Sequence, residues 1–211
     1  MIKIYGMHTP MFMKVVYAAE ELGLNYQIVP VDLTKGETKS PEHMARHPFG
    51  KVPAIEHNGK FLWESNAIVR YMGSLDSTPA FPSDKMARAH VDQWLEFFAH
   101  QAGRWTTSVW FQKCIGPKYF NEPADEKVVK NTTEWLMEAM PIVDKHLGTN
   151  SFLTGETFTL ADVVAHTLMM GFKDAGLPLG DFKNFARWFE NVEQRPSWKR
   201  TLAACEKVEK K

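Results

Sequence analysis

A proline before a strand and an acid-hydroxyl pair before a helix are the two patterns in this sequence best suited to binding a ligand. Val52-Pro53 stands where an apolar strand should begin, a position at which the missing N–H of proline need not join a sheet. An X-Pro bond can be cis at a cost of about 0.5–1 kcal/mol, which would turn the backbone N–H and C=O of Val52 toward a bound peptide. Glu64-Ser65 precedes a predicted helix, where the Ser65 hydroxyl can accept a backbone N–H as the N-cap.

Histidines and cysteines could carry other chemistry, but their spacing does not favour it. His43 and His47 are four residues apart and could place two zinc ligands on one helical face. Zinc needs at least one further ligand and no matching motif follows, so chance spacing is the better interpretation and we expect no metal. Cys114 and Cys205 lie far apart, unlike a zinc ribbon or a secreted disulfide framework, which indicates a reducing compartment.

The elements that must position the first two patterns follow a βαβαββα order. Asn58-Gly59 between two short apolar runs predicts a two-residue hairpin. The handedness of βαβ units favours parallel pairing of the first two strands, with the helix over one face of the sheet. The predicted elements are strand 2–5, a helix ending near Gly23, strand 26–31, a short helix 42–46, strands 54–57 and 60–63, and a helix with the buried face Ile68, Tyr71, Met72 and Leu75. Residues 1–77 are therefore expected to form an α/β thioredoxin-like domain.

Beyond this domain the sequence predicts only helices. Residues 78–83 form the expected linker, because the stretch 76–83 contains two prolines and no periodicity, and residues 84–211 form an all-α C-terminal domain. Thr159 to Asp162 has the form of a capping box. Pro141 should kink or divide a helix near 125–147.

Composition restricts the class of partner. Lys plus Arg and Asp plus Glu number 25 each, giving a formal net charge of zero, which argues against binding nucleic acid or an acidic membrane through bulk charge. The opening segment MIKIY is too short and too charged for a signal peptide, and no apolar run is long enough to span a membrane. We expect a cytoplasmic protein that binds a small molecule.

Five motifs in this order resemble the glutathione transferase family, and the resemblance covers nearly the whole chain. They are YGMHTP, HPFGKVPAI, FLWESNAIVRYM, VDQWLEFFAHQ and FLTGETFTLADVVAH. The sequence is most similar to the phi class and related bacterial enzymes, and Thr9-Pro10 is similar to the Thr-Pro of bacterial nu-class proteins. Those proteins usually have asparagine where this chain has Met11. The resemblance implies a detoxifying homodimer that uses glutathione as co-substrate, without a tightly bound cofactor.

The resemblance also implies roles for the residues of the first domain. The backbone of Val52 and Pro53 would hold the cysteinyl part of glutathione, and Glu64 and Ser65 its γ-glutamyl end, with the Ser65 hydroxyl and the first N–H groups of the helix facing the carboxylate. Two further positions would offer ammonium groups to the glycine carboxylate. These positions are Lys39 and Lys51.

Thr9 matches the position of the family's catalytic serine, whose hydroxyl donates to the glutathione sulfur. A hydrogen bond to a charged group contributes roughly 1.5–3 kcal/mol, and a helix N-terminus adds roughly 0.3–1 kcal/mol, which together suffice to lower a thiol pKa by about two units. Tyr5 and His8 are rivals for this role, Tyr5 being interpreted as a core residue with a partnered phenol. The first domain has no cysteine, which excludes a cysteine-dependent mechanism.

A hydrophobic electrophile would bind between the two domains of the family fold. Aromatic and methionine side chains suit such a pocket, although single aromatics at helical spacing are equally often core residues. The candidates are Met11, Phe12, Trp105, Trp110 and Phe111. Phe49, in the loop before Val52, is the candidate contact of the homodimer.

Three functions follow from these observations. The first is conjugation of glutathione to hydrophobic electrophiles, with peroxide reduction as an additional activity. The second is a nu-like, glutathione-dependent disulfide reductase, which Met11 disfavours. The third is a glutathione- or ligand-binding protein without fast chemistry. Turnover of an aryl halide separates the first from the third, and reduction of a mixed disulfide separates the second from both.

Overall fold

The computed structural model describes residues 1–33 and 35–209, which divide into two compact units. The first unit contains Met1–Ser83 together with the described chain from Glu193 onward, and the second contains Asp84–Val192. The first stretch of the first unit ends at Ser83, the last residue of the expected linker. The last helix packs with the first unit, whereas the expected C-terminal domain ran from residue 84 to residue 211.

A four-stranded sheet forms the centre of the first unit. Its strands are β1 (Ile2–Gly6), β2 (Tyr26–Pro30), β3 (Ala54–His57) and β4 (Lys60–Trp63). The strand order is β2-β1-β3-β4, with β1 and β2 parallel and the other two pairs antiparallel. Asn58 and Gly59 connect β3 to β4 with φ angles of 52° and 73°, which is the left-handed backbone that Asn-Gly favours in a two-residue hairpin. The predicted thioredoxin-like architecture is confirmed.

Three helices of the first unit follow its strands. They are α1 (Pro10–Glu21), α2 (Pro41–Arg46) and α3 (Ser65–Gly73). Helix α1 is buried along its middle, where eight consecutive side chains from Phe12 to Ala19 are inaccessible to solvent. One of the eight is a lysine, Lys14. Helix α1 packs against α3, so residues on these two helices meet within the first unit.

The last described helix completes the first unit by packing on α1. This helix spans Pro196–Glu209, and Arg195 and Ser197 at its start both donate hydrogen bonds to the carboxylate of Glu21. The Trp198 ring lies 5.2 Å from the ring of Tyr17. A terminal helix attached through such long-range contacts carries no local sequence signal of its partner, which explains why its packing on the first unit was not predicted.

The second unit is helical, as predicted. Its elements are α4 (Lys85–His100), α5 (Ala102–Trp110), a π-helix (Phe111–Phe120), α6 (Glu126–Leu147), α7 (Leu160–Met169) and α8 (Lys183–Glu193). Helix α6 continues through Pro141, so of the two predicted outcomes, a kink or a division, the division is not observed. Among the described residues, no helix is both long and apolar enough to cross a membrane.

The predicted capping box at the start of α7 is present and extends into a buried network. Thr159 and Asp162 exchange the two reciprocal hydrogen bonds of the motif. The Asp162 carboxylate also accepts hydrogen bonds from the backbone N–H of Leu153 and the indole N–H of Trp188, each at 2.9 Å. Burial raises the pKa of Asp162 to about 6, and these hydrogen bonds oppose the rise. One carboxylate therefore joins a loop and two helices of the second unit.

Candidate functional site

The loop before β3 presents the backbone of Val52 in a fixed geometry. The Val52-Pro53 bond is cis, and Gly50, two residues earlier, has a φ angle of 59° that a side chain would strain. A Cβ on Gly50 would also overlap the backbone oxygen of Thr38. The imidazole Nε2 of His43 lies 2.8 Å from the carbonyl oxygen of Lys51 and ties the loop to α2. Val52 is half-buried and Pro53 is buried.

The two histidines considered as zinc ligands serve this loop instead. Helix α2 ends at Arg46, and His47 follows it with extended backbone, so His43 and His47 do not share a helical face. Each ring is buried; His43 contacts the Lys51 carbonyl, and the Nδ1 of His47 accepts the N–H of Phe49 at 3.3 Å. Burial lowers the pKa of His47, which keeps its Nδ1 available as an acceptor. No cluster of three or more metal-ligating side chains occurs in the part of the chain that the structure describes.

Two lysines flank one exposed aromatic ring beside this loop. Phe49 is 70% exposed, and the ammonium groups of Lys39 and Lys51 lie 5.8 Å and 5.5 Å from the centre of its ring. Lys39 also donates a hydrogen bond to the Phe49 carbonyl at 3.0 Å. The structure therefore brings together the two lysines that the resemblance assigns to one carboxylate. Each ammonium has further donor hydrogens for such a ligand.

The Glu64-Ser65 pair begins α3, but the helix starts one position earlier than predicted. Glu64 is the N-cap but makes no side-chain hydrogen bond to the first turn, and Ser65 is the first helical residue. The prediction that Ser65 is the N-cap is therefore wrong. Glu64 is exposed and has φ 69° and ψ 108°, a backbone conformation that costs about 1–3 kcal/mol for a residue with a side chain. Strain of this kind is typical of ligand clamps, and here it leaves the Ser65 hydroxyl outside the capping role.

A buried lysine that sequence reasoning missed lies behind Ser65. Lys14 on α1 is only 2% exposed, and its ammonium donates to the Ser65 hydroxyl at 3.1 Å and to the Asn66 side-chain oxygen at 2.9 Å. The Met11 sulfur lies 3.5 Å from the same nitrogen and 3.7 Å from the Ser65 oxygen. The signal was a single charged residue inside the apolar run MFMKVV, which is unusual for a buried helix face.

Thr9 is the N-cap of α1, at the end of the loop after β1. Its hydroxyl oxygen accepts the backbone N–H of Phe12 at 3.3 Å, and its side chain is half-buried. A hydroxyl has one donor hydrogen and two acceptor positions. Accepting a hydrogen bond at the cap therefore leaves the O–H of Thr9 able to donate to a ligand. The N-terminus of α1 adds positive potential at the same place.

Tyr5, the alternative candidate for the thiol-activating role of Thr9, is buried in the protein core. Its side chain is 4% exposed, and its phenol donates to the Glu56 carboxylate at 2.7 Å. Burial and this hydrogen bond raise the pKa of Tyr5, which makes the phenol a poorer proton donor to a thiolate. The Arg46 guanidinium covers the ring at 4.1 Å. His8 is a half-buried loop residue next to Thr9.

The five candidates for the electrophile pocket differ in what they can contact. Within the first unit, Met11 is half-buried beside Lys14 and Ser65, whereas Phe12 has no exposed surface. The Phe12 ring occupies the space above Gly6, where a Cβ would overlap it, so the ring is a core group and not a substrate contact in this structure.

The other three candidates lie in the second unit. Trp105 lines a cavity of about 430 Å³ and packs against Trp135, with ring centres 6.2 Å apart. Trp110 covers Gly171 so closely that a Cβ there would overlap the indole. Phe111, at the start of the π-helix, is 40% exposed and lies 6.0 Å from the ring of Phe120. The remaining residues around the Trp105 cavity are His100, Arg104, Ser108 and Thr132.

This arrangement is a thioredoxin-like unit that carries the backbone, hydroxyl and ammonium groups described above, followed by a helical unit. Two family models match the chain: the glutathione S-transferase N-terminal domain over residues 1–74 and the C-terminal domain over residues 105–196. Glutathione S-transferase 3 of Zea mays is 34% identical over 211 residues, covering 96% of this chain and 94% of the maize protein.

Solved structures agree with this relationship. The crystal structure of glutathione transferase F2 from Populus trichocarpa has a TM-score of 0.89 and 29% identity. The match covers 98% of this chain and 100% of the poplar chain. Glutathione S-transferase I from maize, in complex with an atrazine glutathione conjugate, has a TM-score of 0.86 and 28% identity, with 97% and 98% of the two chains covered. The chain belongs to the glutathione S-transferase family and is a glutathione-conjugating transferase. These plant relatives do not support the nu-like part of the resemblance.

Proposed function

We propose that the first unit binds glutathione along the groups described above, in an extended pose. The glycine carboxylate faces Lys39 and Lys51, the cysteinyl backbone pairs with Val52 beside Pro53, and the γ-glutamyl end faces Glu64 and Ser65. The convergence of Lys39 and Lys51 on the Phe49 ring supports the first of these contacts. The uncapped first turn of α3 supports the last, because its N–H groups and dipole favour a carboxylate.

Thr9 activates the bound thiol in this proposal. The single observation that carries the assignment is the hydrogen bond from the Phe12 N–H to Oγ1 of Thr9, which fixes the hydroxyl at the N-terminus of α1 and leaves its hydrogen available. A free cysteine thiol has a pKa of ~8.5. A charge-assisted hydrogen bond of roughly 1.5–3 kcal/mol would lower that pKa by about one to two units. The thiol proton is released to solvent, and the thiolate attacks an electrophilic carbon; with an aryl halide the new carbon–sulfur bond replaces the carbon–halogen bond and halide leaves.

The electrophile is apolar and binds at aromatic side chains of the second unit in this proposal. Trp105 is the strongest candidate, because its indole and that of Trp135 line the same cavity of about 430 Å³. Atrazine, which maize glutathione S-transferase I holds as a glutathione conjugate, illustrates the class of compound. We further propose a cytoplasmic homodimer with Phe49 at its contact, because a large aromatic side chain that is 70% exposed suits an interface.

The test is an ultraviolet difference titration of the thiolate of bound glutathione against pH, in the wild type and three Thr9 variants. Thr9→Ser keeps both the cap and the donor, so the thiol pKa should stay low. Thr9→Asp keeps the cap but supplies a carboxylate in place of the donor, and Thr9→Val removes both. We expect the bound thiol pKa to rise by about one to two units in Thr9→Val and further in Thr9→Asp.

Three other outcomes would contradict the proposal or favour one of the other two functions. A thiolate signal unchanged in Thr9→Val would contradict the assigned role of the hydroxyl. Tryptophan quenching by glutathione without any thiolate signal would favour a binding protein. Fast reduction of a mixed disulfide, without turnover of an aryl halide, would favour the reductase. The stability of Thr9→Val must be measured alongside, because losing an N-cap costs about 1 kcal/mol.

A further inference from the structure

The buried ammonium of Lys14 is the feature of the first unit that the proposed chemistry does not use. It projects from the middle of α1, with 2% of its surface exposed, toward the first two residues of α3. A lysine is rarely buried to this extent unless it is paired. Its hydrogen bond to the Ser65 hydroxyl places the Lys14 nitrogen next to the proposed γ-glutamyl site.

The hydrogen bonds of Ser65 orient its hydroxyl group. The hydroxyl oxygen accepts from the Lys14 ammonium at 3.1 Å, and the hydroxyl hydrogen points to the Met11 sulfur at 3.7 Å. Thioether sulfur is a weak acceptor, so a carboxylate would displace it readily. A hydroxyl that already accepts from an ammonium is a stronger donor, because hydrogen bonds in series polarise one another.

We propose that Lys14 is a positioning residue for glutathione, acting through Ser65 on the α-carboxylate of the γ-glutamyl end. The ammonium fixes the Ser65 hydroxyl as a donor toward the ligand and adds positive charge behind the bound anion. It also holds Asn66, the second residue of α3, through the 2.9 Å hydrogen bond to its side-chain oxygen. The inference rests on the proposed glutathione site and concerns one carboxylate of that ligand.

Selectivity for that carboxylate is the consequence that separates this role from simple packing. Glutathione and γ-aminobutyryl-cysteinyl-glycine differ only by the α-carboxylate, so Lys14 should favour the first ligand and be indifferent to the second. A lysine needed only to fill space would affect both ligands equally. Lys39 and Lys51, assigned to the glycine carboxylate at the other end of the peptide, should not distinguish the two.

The experiment measures the Kd of both tripeptides by tryptophan quenching in wild type, Lys14→Met, Lys14→Gln and Lys14→Arg. We expect Lys14→Met to weaken glutathione binding roughly tenfold and to leave the Kd of the decarboxylated tripeptide within about twofold of wild type. Lys14→Gln retains a donor without the charge and should fall between, and Lys14→Arg should keep most of the selectivity. Lys60→Met, which removes an exposed lysine on β4, is the matched control and should resemble wild type.

Two results would overturn the inference. Equal losses for both tripeptides in Lys14→Met and Lys14→Gln would show that the lysine only packs. An unchanged Kd for glutathione in the same variants would show that its charge is not felt at the site. Circular dichroism establishes folding, and if Lys14→Met does not fold, the Gln and Arg variants decide the question. A wild-type protein that binds neither tripeptide would instead contradict the glutathione site itself.

Discussion

Replacing Asp162 tests the idea that one buried carboxylate holds the second unit together. Its Oδ1 accepts the N–H of Leu153 and the indole N–H of Trp188, and its Oδ2 accepts the backbone N–H of Thr159, all at 2.9 Å. Asp162→Ala would leave these three donors buried without an acceptor. Each unsatisfied buried donor costs about 1–3 kcal/mol, so the three together should lower the free energy of unfolding by about 3–9 kcal/mol.

Asp162→Asn separates the two carboxylate oxygens. The amide oxygen can replace Oδ1 and keep the hydrogen bonds from Leu153 and Trp188, whereas the amide NH₂ would face the Thr159 N–H in place of Oδ2. Only the two hydrogen bonds that Thr159 donates to Oδ2, from its backbone N–H and its hydroxyl, are then lost. Removing a cap costs about 0.5–2 kcal/mol, so the asparagine variant should be much more stable than the alanine variant.

Denaturant unfolding of the complete chain, followed by tryptophan fluorescence and circular dichroism, measures these differences. The pH should be ~8, above the pKa of about 6 that burial gives Asp162, so that the wild-type carboxylate is ionised. Glu138→Ala, an exposed position on α6, is the control and should change stability by less than about 0.5 kcal/mol. If Asn is as damaging as Ala, the separation of the two oxygens is refuted; if Ala costs less than about 1 kcal/mol, the network is not what holds these elements.

Two further predictions concern acid stability and assembly. Burial lowers the pKa of His166 to about 3, so the folded protein loses stability as pH falls below the unfolded value of ~6.5, by about 2.7 kcal/mol two units lower. His166→Phe should lack this loss when unfolding is compared at pH ~8 and ~4.5, and equal losses in both proteins would contradict it, since the opposite effect of Asp162 is common to both. Phe49→Glu should convert the proposed homodimer to a monomer in sedimentation velocity; a wild-type monomer, or a variant that remains dimeric, would contradict the proposed contact.

The order of elements in the first unit could be predicted because its signals are local. Asn58-Gly59 predicts a two-residue hairpin, and the apolar residues that follow it have the spacing of one helix face. The capping box from Thr159 to Asp162 is likewise complete within four residues. Each of these signals depends on backbone geometry or side-chain spacing within a few residues, so no knowledge of the rest of the fold was needed.

The features that sequence reasoning missed depend on contacts between distant residues. The packing of the last helix on α1 requires Arg195 and Ser197 to meet Glu21, more than 170 positions away in the sequence. The role of Lys14 depends on α3 approaching α1, which brings it to Ser65 across 51 positions. The burial of Phe12 depends on Gly6 leaving room for its ring. Spacing along the chain contains none of these relations.

The one-residue error at the start of α3 changes the chemistry available at the proposed site. The hydroxyl oxygen of an N-cap serine would accept a backbone N–H. The Ser65 oxygen instead accepts a hydrogen bond from the Lys14 ammonium, and the first turn of α3 has no side-chain cap. Thr9 reaches a similar state by the opposite route, because it is the N-cap and accepts from Phe12. In our proposal both hydroxyls accept from the protein and donate to glutathione, one to its carboxylate and one to its sulfur. Both ligand groups are anionic at the moment of reaction. Because each hydroxyl oxygen already accepts a hydrogen bond from the protein, the hydroxyl hydrogen can be donated to the ligand.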